Sequence, residues 1–363
     1  MPSLSNQVPV NVTAAGGCRA AGKNRLLALG RARRENRRMK AVVLPRYGAP
    51  EVLSYEDAPD PVPGEGEVLV RVAAASVNFA DVLLRVGKYH QGAAPPTIPG
   101  LDVGGTIVEV GPGVTSLAVG DRVAAGLAGG GYAELAVAKQ SLVWKLPEGI
   151  GSEEGAAFPI AGITAYNVLT LAGRLQPGES VVVHSAAGGV GTTAAQLARI
   201  LGAGLVIGTV GDAAKVAAAR DAGCDHVIVR GEKDVVARVN ELTGGAGADL
   251  ILDSVAGETL TRDLDCLAPF GRLVAFGISS GTPGQALSNQ LHPLNRAVIG
   301  YSSGHYRRYR PDALRPAAEA VLGLLAAGRL RLVVGHRFPL AEAAQAHALI
   351  ESRASVGKIL LLP

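Results

Sequence analysis

Aromatic residues are few: 4% of a 363-residue chain, with a single tryptophan. A core large enough for two domains must then be built from Val, Leu, Ile and Ala, within a hydrophobic fraction of 48%. Cysteine is scarcer still. Cys18, Cys224 and Cys266 stand far apart with no C-x-x-C pair, which excludes a disulfide framework and a zinc knuckle and leaves ordinary thiols. No uninterrupted apolar run reaches about 18 residues, and no signal peptide with an apolar core is visible. The expectation is a soluble, cytoplasmic protein with no membrane span.

Glycine, by contrast, is plentiful at 48 residues. Aliphatic strands joined by tight glycine turns suit a mostly parallel α/β protein, in which both faces of the sheet are covered. A net charge of +4 invites a nucleic-acid partner until the charge is located. Residues 1–38 hold eight basic side chains (Arg19, Lys23, Arg25, Arg31, Arg33, Arg34, Arg37, Arg38) against Glu35 alone, a net of +7, which leaves −3 for residues 39–363. The folded body is mildly acidic, so nucleic acid is not its expected partner. Three readings stay open for the basic segment: a disordered extension with Met39 opening the domain proper, which is favoured, a basic arm for nucleic acid, or an organelle transit peptide.

From Met39 the pattern is rich in short strands. Expected at 40–44, 67–75, 105–110, 121–125, 131–137 and 142–145, with turns between them, they read as a mainly antiparallel, barrel-like β domain. The style changes near residue 155. Helical stretches at 155–170, 190–201, 213–222 and 233–243 alternate with aliphatic strands at 180–184, 205–210, 226–229, 249–253 and 272–276. Such alternation implies a doubly wound parallel sheet of the Rossmann type. Two helices, at 311–327 and 341–351, precede a last strand at 357–362.

The strongest chemical signal is Val181-Val182-Val183-His184-Ser185-Ala186-Ala187-Gly188-Gly189-Val190-Gly191, followed by a helix. Backbone N–H groups at that helix start, with its positive dipole end, can hold a pyrophosphate. Gly188 permits close approach of the backbone and Gly191 lets the helix pack on the sheet, while Ala186 stands where the first glycine of the fingerprint is usual. A glycine-rich turn alone is a weak sign. The strand before it and the α/β series after it make it strong. For the nucleotide, an NAD site places an acid at the end of the second strand, but here that strand ends in Val210 and Gly211. Lys215 and Arg230 stand near the ends of the second and third strands and suit a 2′-phosphate, which favours NADPH over NADH. Asp212 comes one or two positions late and is open to a second reading as a helix cap.

These residues resemble the medium-chain dehydrogenase/reductase superfamily, specifically its zinc-free quinone oxidoreductase (zeta-crystallin-like) branch, over residues 39–363. The likeness is carried by Met39-Lys40-Ala41-Val42, Ser76-Val77-Asn78-Phe79-Ala80-Asp81, Pro99-Gly100 before Gly104-Gly105, and Gly162-Ile163-Thr164-Ala165-Tyr166. The glycine turn, Leu252-Asp253-Ser254-Val255, Phe276-Gly277 and Glu351-Ser352-Arg353-Ala354 continue it. The resemblance implies a GroES-like catalytic domain at 39–162, a Rossmann NADPH-binding domain at 163–298, and a segment at 299–363 that returns to complete the catalytic domain. It also implies a cleft between the domains and a homodimer. At the positions where the alcohol dehydrogenase branch ligates zinc, this chain has Asn78, Leu101-Asp102 and about Gly162, so a tetrahedral zinc site is not expected.

Without a metal to polarise a carbonyl, oxidation of a simple alcohol loses its electrophile. Hydride addition to a quinone or enone spreads the charge over a conjugated product, and modest hydrogen-bond donors suffice. By resemblance, Asn78 and Tyr89 line the acceptor side as the catalytic candidates. Asn78 would offer an amide donor or else fix the loop, and Tyr89 would offer a hydroxyl or else only an aromatic wall. Leu83 replaces a second tyrosine common in the family. Thr164, Phe79, Asp81, Ser254, Phe276, Gly277 and Ile278 join Gly188, Gly189, Val190, Gly191, Lys215 and Arg230 on the cofactor side, with Asp81 also open to a proton-relay role and a structural one favoured. His184 reads as a hydrogen-bonded, neutral core histidine near the cofactor. Tyr306-Arg307-Arg308-Tyr309-Arg310 is open to contact with an anionic substrate or nucleic acid, but a solvated loop at a domain junction is favoured. The expected activity is NADPH-dependent reduction of a quinone or enone. Alternatives are an enoyl-thioester or alkenal reductase, and a non-catalytic NADPH-binding sensor or RNA-binding protein.

Overall fold

The computed structural model describes residues 37–89 and 91–363; the readings of residues 1–36, of Cys18 and of His90 lie outside them. Six parallel strands form one sheet in the order His226–Val229, Leu205–Val210, Ser180–Val183, Ala248–Asp253, Leu267–Ala275, Ala297–Gly300. In chain order this is 3-2-1-4-5-6, the doubly wound Rossmann arrangement, with its switch point between Ser180–Val183 and Ala248–Asp253. These strands are near-continuous aliphatic runs because helices cover both faces. Val181, Val182, Leu250 and Ile251 are all fully or almost fully buried.

The second sheet has seven strands and is antiparallel except for one pair. Glu67–Val77 is its centre, flanked by Asp102–Val110, Leu135–Lys139 and Lys358–Leu362. Arg122–Gly126 and Val143–Lys145 continue one side, while Val334–Pro339 pairs in parallel with Lys358–Leu362 on the other. The alternation seen in 67–75 closes a core around Val68, Val70, Val72, Ile107 and Leu361. Ile359, Leu360 and Leu361 pair with Val77, Ser76 and Ala75, so the chain's last strand sits in the sheet that its first half builds. This is the GroES-like partner of the Rossmann sheet.

Several expectations need correction. The strand expected at 131–137 is Leu135–Lys139, because Gly131 and Tyr132 donate instead to the carbonyls of Gly100 and Pro99. The boundary expected at 298/299 cuts the sixth parallel strand, Ala297–Gly300, and that at 162/163 falls inside the helical run 152–172. Within 299–363, the helix Arg315–Ala326 buries Ala318, Val321 and Leu325 in one cluster with Val181 and Val183 of the parallel sheet and with Ala124 and Trp144 of the barrel, so the returning segment is shared between the two sheets. The segment 306–310 is not a loop: Ser302 accepts from His305 N and starts the helix Ser303–Tyr309. The run 152–172 is long and apolar enough to cross a membrane by length and composition, yet 72% of its most apolar window is buried inside the fold.

Candidate active site

A cleft of about 780 Å³ lies at the carboxyl ends of the parallel strands, closed on its other side by residues 77–89 and 350–359. Gly188, Gly189, Val190 and Gly191 line it at the start of the helix Gly189–Ile200, whose first turn holds no acid to offset the dipole. A methyl on Gly191 would lie 2.2 Å from Ser185 O, and one on Gly189 2.5 Å from Lys358 Cδ. Side chains are excluded here by close packing, which leaves the turn's backbone as the cleft surface. Thr164 also faces the cleft, and its Oγ1 is buried without a hydrogen-bond partner. An orphaned hydroxyl beside a bare glycine turn is the state expected where a ligand supplies the missing partner. The residues fit a dinucleotide.

Cations gather where the second and third strands end. Lys215, Arg230 and Arg353 line the cleft there, and Lys215 Nζ donates to Arg353 O. Burial and the neighbouring Arg230 together pull the Lys215 pKa down, while Asp212 opposes them. Burial and Arg353 do the same to Arg230. An anion placed among these cations would relieve their repulsion. Asp212 is the helix cap of the second reading: its Oδ1 accepts from Ala214 N at 2.8 Å. Ser254, just past the fourth strand, and Phe276, Gly277 and Ile278, just past the fifth, line the adjoining wall.

On the barrel side the structure brings Asn78, Phe79 and Tyr89 to the cleft. Of the two readings of Asn78, a free amide donor or a loop-fixing amide, its hydrogen bonds fit the second. Its Nδ2 donates to Asp102 Oδ1 at 2.7 Å and to Ser76 O at 3.4 Å, and its Oδ1 accepts from Lys358 Nζ at 2.6 Å. Asp102 is fully buried and also accepts from Ser76 Oγ and, through Oδ2, from Ile160 N. Lys358 donates a second time to Val77 O at 3.3 Å, which leaves one of its three N–H bonds. Its pKa is lowered by burial against the pull of Asp102 and Asp81. Lys358 lines the cleft, so the free donor that one reading gave to Asn78 belongs to its neighbour.

Asp81 is not in the cleft. It is fully buried behind the wall, where it accepts from Asn78 N at 2.9 Å and Gly100 N at 3.2 Å at the start of the helix Phe79–Arg85. Burial pushes its pKa up to about 6. Tyr89 is half-buried, and burial raises its pKa, opposed by the charge and hydrogen bond of Arg307. At neutral pH its hydroxyl stays protonated, a donor rather than a base. Burial also pushes the thiols of Cys224 and Cys266 up to about 12, which makes them inert.

Residues 64–148 match the family described as alcohol dehydrogenase GroES-like domain, and residues 189–319 the family described as zinc-binding dehydrogenase. A quinone oxidoreductase of Pseudomonas aeruginosa is 38% identical over 326 residues, 89% of this chain and 99% of the relative. This chain belongs to the quinone oxidoreductase branch of the medium-chain dehydrogenase/reductase superfamily. A 2-haloacrylate reductase of a Burkholderia species is 34% identical over 330 residues, 89% of this chain and 98% of that relative. Among solved structures, the Escherichia coli quinone oxidoreductase complexed with NADPH superposes with a TM-score of 0.84 at 34% identity, covering 89% of this reductase and 100% of that chain.

The second family's description names zinc. Two of the positions matched to zinc ligands, Asn78 and Asp102, do converge, but as an amide–carboxylate hydrogen bond closed by the Lys358 ammonium. Among the described residues no group of three His, Cys, Asp or Glu side chains could hold a metal. Sequence reasoning missed Lys358 and Arg353 in the reductase's cleft, and it preferred a solvated loop for Arg307, which also lines the cleft. Arg353 stands in a motif already singled out, and Lys358 opens an aliphatic strand, where a lone charge is a legible oddity.

Proposed function

We propose that this reductase is zinc-independent and passes hydride from NADPH to quinones or α,β-unsaturated carbonyl compounds. The observation that carries the reading is the Asp102–Asn78–Lys358 array, a protein-built hydrogen-bond donor at the cleft, on positions that the resemblance sets against zinc ligands. Bound NADPH supplies two electrons and one hydrogen as hydride, so that with one solvent proton a quinone becomes a hydroquinone and NADP+ is left. Gly188 to Gly191 hold the pyrophosphate, Lys215, Arg230 and Arg353 the 2′-phosphate, and the Thr164 hydroxyl binds the nicotinamide side. Phe276, Gly277 and Ile278 border the ring and keep water from it. Lys358, held by Asn78, and the protonated Tyr89 face the acceptor oxygen, where negative charge grows. Asp81 serves by fixing the Asn78 backbone.

The relative named as a 2-haloacrylate reductase favours a second reading within the same chemistry, an activated alkene as acceptor. The catalytic domain comprises the residues from Met39 up to the helical run that starts at Ser152, with the returning segment from about Val334, and the Rossmann domain runs through Gly300. A cytoplasmic homodimer is the assembly proposed, supported by the outer edge of Ala297–Gly300, which pairs with no strand among the described residues.

The test is loss of reduced-nicotinamide absorbance with para-benzoquinone, phenanthrenequinone, a simple enone and an enoyl thioester, with and without chelator. Rapid NADPH oxidation with a quinone or enone, indifferent to chelator and at least tenfold slower with NADH, is expected. Turnover abolished by chelator would refute zinc independence. Tight NADPH binding with no acceptor reduced would put the non-catalytic sensor reading first.

A further inference from the structure

The charges lining the cleft are one-sided. Lys88, Lys215, Arg230, Arg307, Arg353 and Lys358 face a single acid, Asp212. Three of the cations, with Asp212, stand at the nucleotide end, and Lys358 is matched by buried Asp102 and Asp81. That accounts for the phosphates and for the donor array. It leaves Lys88 and Arg307 at the acceptor end, where no carboxylate lines the wall.

Arg307 is held in place there. Its Nη1 donates to Ser303 Oγ at 3.1 Å, and no carboxylate among the described residues pairs with it. Its stem crosses the barrel strand, so that a methyl on Gly126 would lie 3.4 Å from Arg307 Cδ. The helix that carries it is pressed against the acceptor wall: a methyl on Gly304 would lie 2.7 Å from Tyr89 Oη. Tyr306, next in the chain, stacks on Tyr301 at 5.4 Å, and Tyr301 accepts from Asn167 Nδ2 at 3.1 Å. Arg307 is therefore a half-buried guanidinium on a braced helix, beside the phenol proposed to face the acceptor oxygen.

We propose that the acceptor of this reductase carries a carboxylate, which Arg307 binds through its planar fork while Lys88 at the mouth draws the anion in. The inference rests on the reductase reading and names its substrate class: a conjugated carbonyl compound with an attached carboxylate. The reaction is that of a neutral enone. Hydride adds to one alkene carbon, the alkene electron pair moves to the carbonyl oxygen, and a proton returns to the other carbon, giving NADP+ and the saturated oxo acid. The carboxylate itself is unchanged and serves to orient.

Acetylacrylate and its methyl ester form a matched pair of enones that differ by that charge. In the full-length wild type, kcat/KM should be higher for the acid. Arg307→Met should lower the acid-to-ester ratio about tenfold or more, mostly through the KM of the acid, and Arg307→Lys should restore part of it. Added salt should compress the ratio in the wild type more than in Arg307→Met. An unchanged ratio in Arg307→Met, while para-benzoquinone and the ester are still reduced, overturns this proposal alone. So does a rise in the KM for NADPH that keeps step with that of the acid, which would assign Arg307 to the cofactor. Failure of every acceptor in an enzyme that binds NADPH overturns the reductase reading and this one with it.

Discussion

His184 stands just past Ser180–Val183 with both ring nitrogens engaged, Nε2 with Asp263 at 2.9 Å and Nδ1 with Thr209 Oγ1 at 2.9 Å. Burial works against its charged form, but the charge and hydrogen bond of Asp263 outweigh it, and the pKa ends above the ordinary 6.5. A pKa raised on folding adds stability that is complete below 6.5 and is lost as pH climbs through the folded value. The melting temperature should therefore decline from pH 6.5 upward, and Asp263→Asn should abolish that decline. An equal slope in wild type and variant would assign the pH dependence elsewhere. The sequence read His184 as a hydrogen-bonded, neutral core histidine; the structure bears out the burial and the bonding, while Asp263 favours the charged form. The sequence could not show Asp263, which lies 79 positions away. Asn78 carries the same lesson, since the residue type left a donor and a loop-fixing amide both open and only its neighbours show the amide already spent.

At the scale of elements, two glycines in helices separate local propensity from tertiary constraint. Gly323 lies exposed in Arg315–Ala326 with nothing within 4 Å of an added methyl. Gly323→Ala should stabilise the protein by about 0.5–1 kcal/mol, read from denaturant unfolding. Gly191, by contrast, has Ser185 O and the Ala186 backbone where a methyl would go. Gly191→Ala should push the helix start off the turn and weaken NADPH binding about tenfold or more, measured by quenching of protein fluorescence. Affinity unchanged in Gly191→Ala would remove the turn from the cofactor site. The long strands and helices were legible because their apolar period is sustained. Ala297–Gly300 and Ser303–Tyr309 were not. The first has four residues, and the second mixes Ser, Gly, His, Tyr and Arg with no apolar stripe.

For the whole molecule, the cleft is made by both sheets, so its ligand should act on both. At a hundredfold excess over its Kd, NADPH should add about 2.7 kcal/mol to stability and raise a single shared melting transition. Two transitions of which NADPH moves only one would mean that the barrel side contributes nothing to binding. Lys358 is the physical link. Its stem runs past Gly189 of the Rossmann helix while its ammonium reaches Asn78 of the barrel side.

By itself the sequence determined the fold class, the glycine turn before its helix and the NADPH reading. Each is written in local runs: aliphatic strands, a glycine turn before a helix, and cations where an acid would mark NAD. Only the tertiary structure decided the rest. It withdrew Asp81 from the cleft, spent the Asn78 amide on Asp102 and Lys358, and turned Arg307 from a loop residue into part of the acceptor wall. Those outcomes depend on pairs 24, 280 and 218 positions apart (Asn78 with Asp102, Asn78 with Lys358, Tyr89 with Arg307). Nothing local in the chain encodes which distant side chain arrives to use a hydrogen bond or meet a charge.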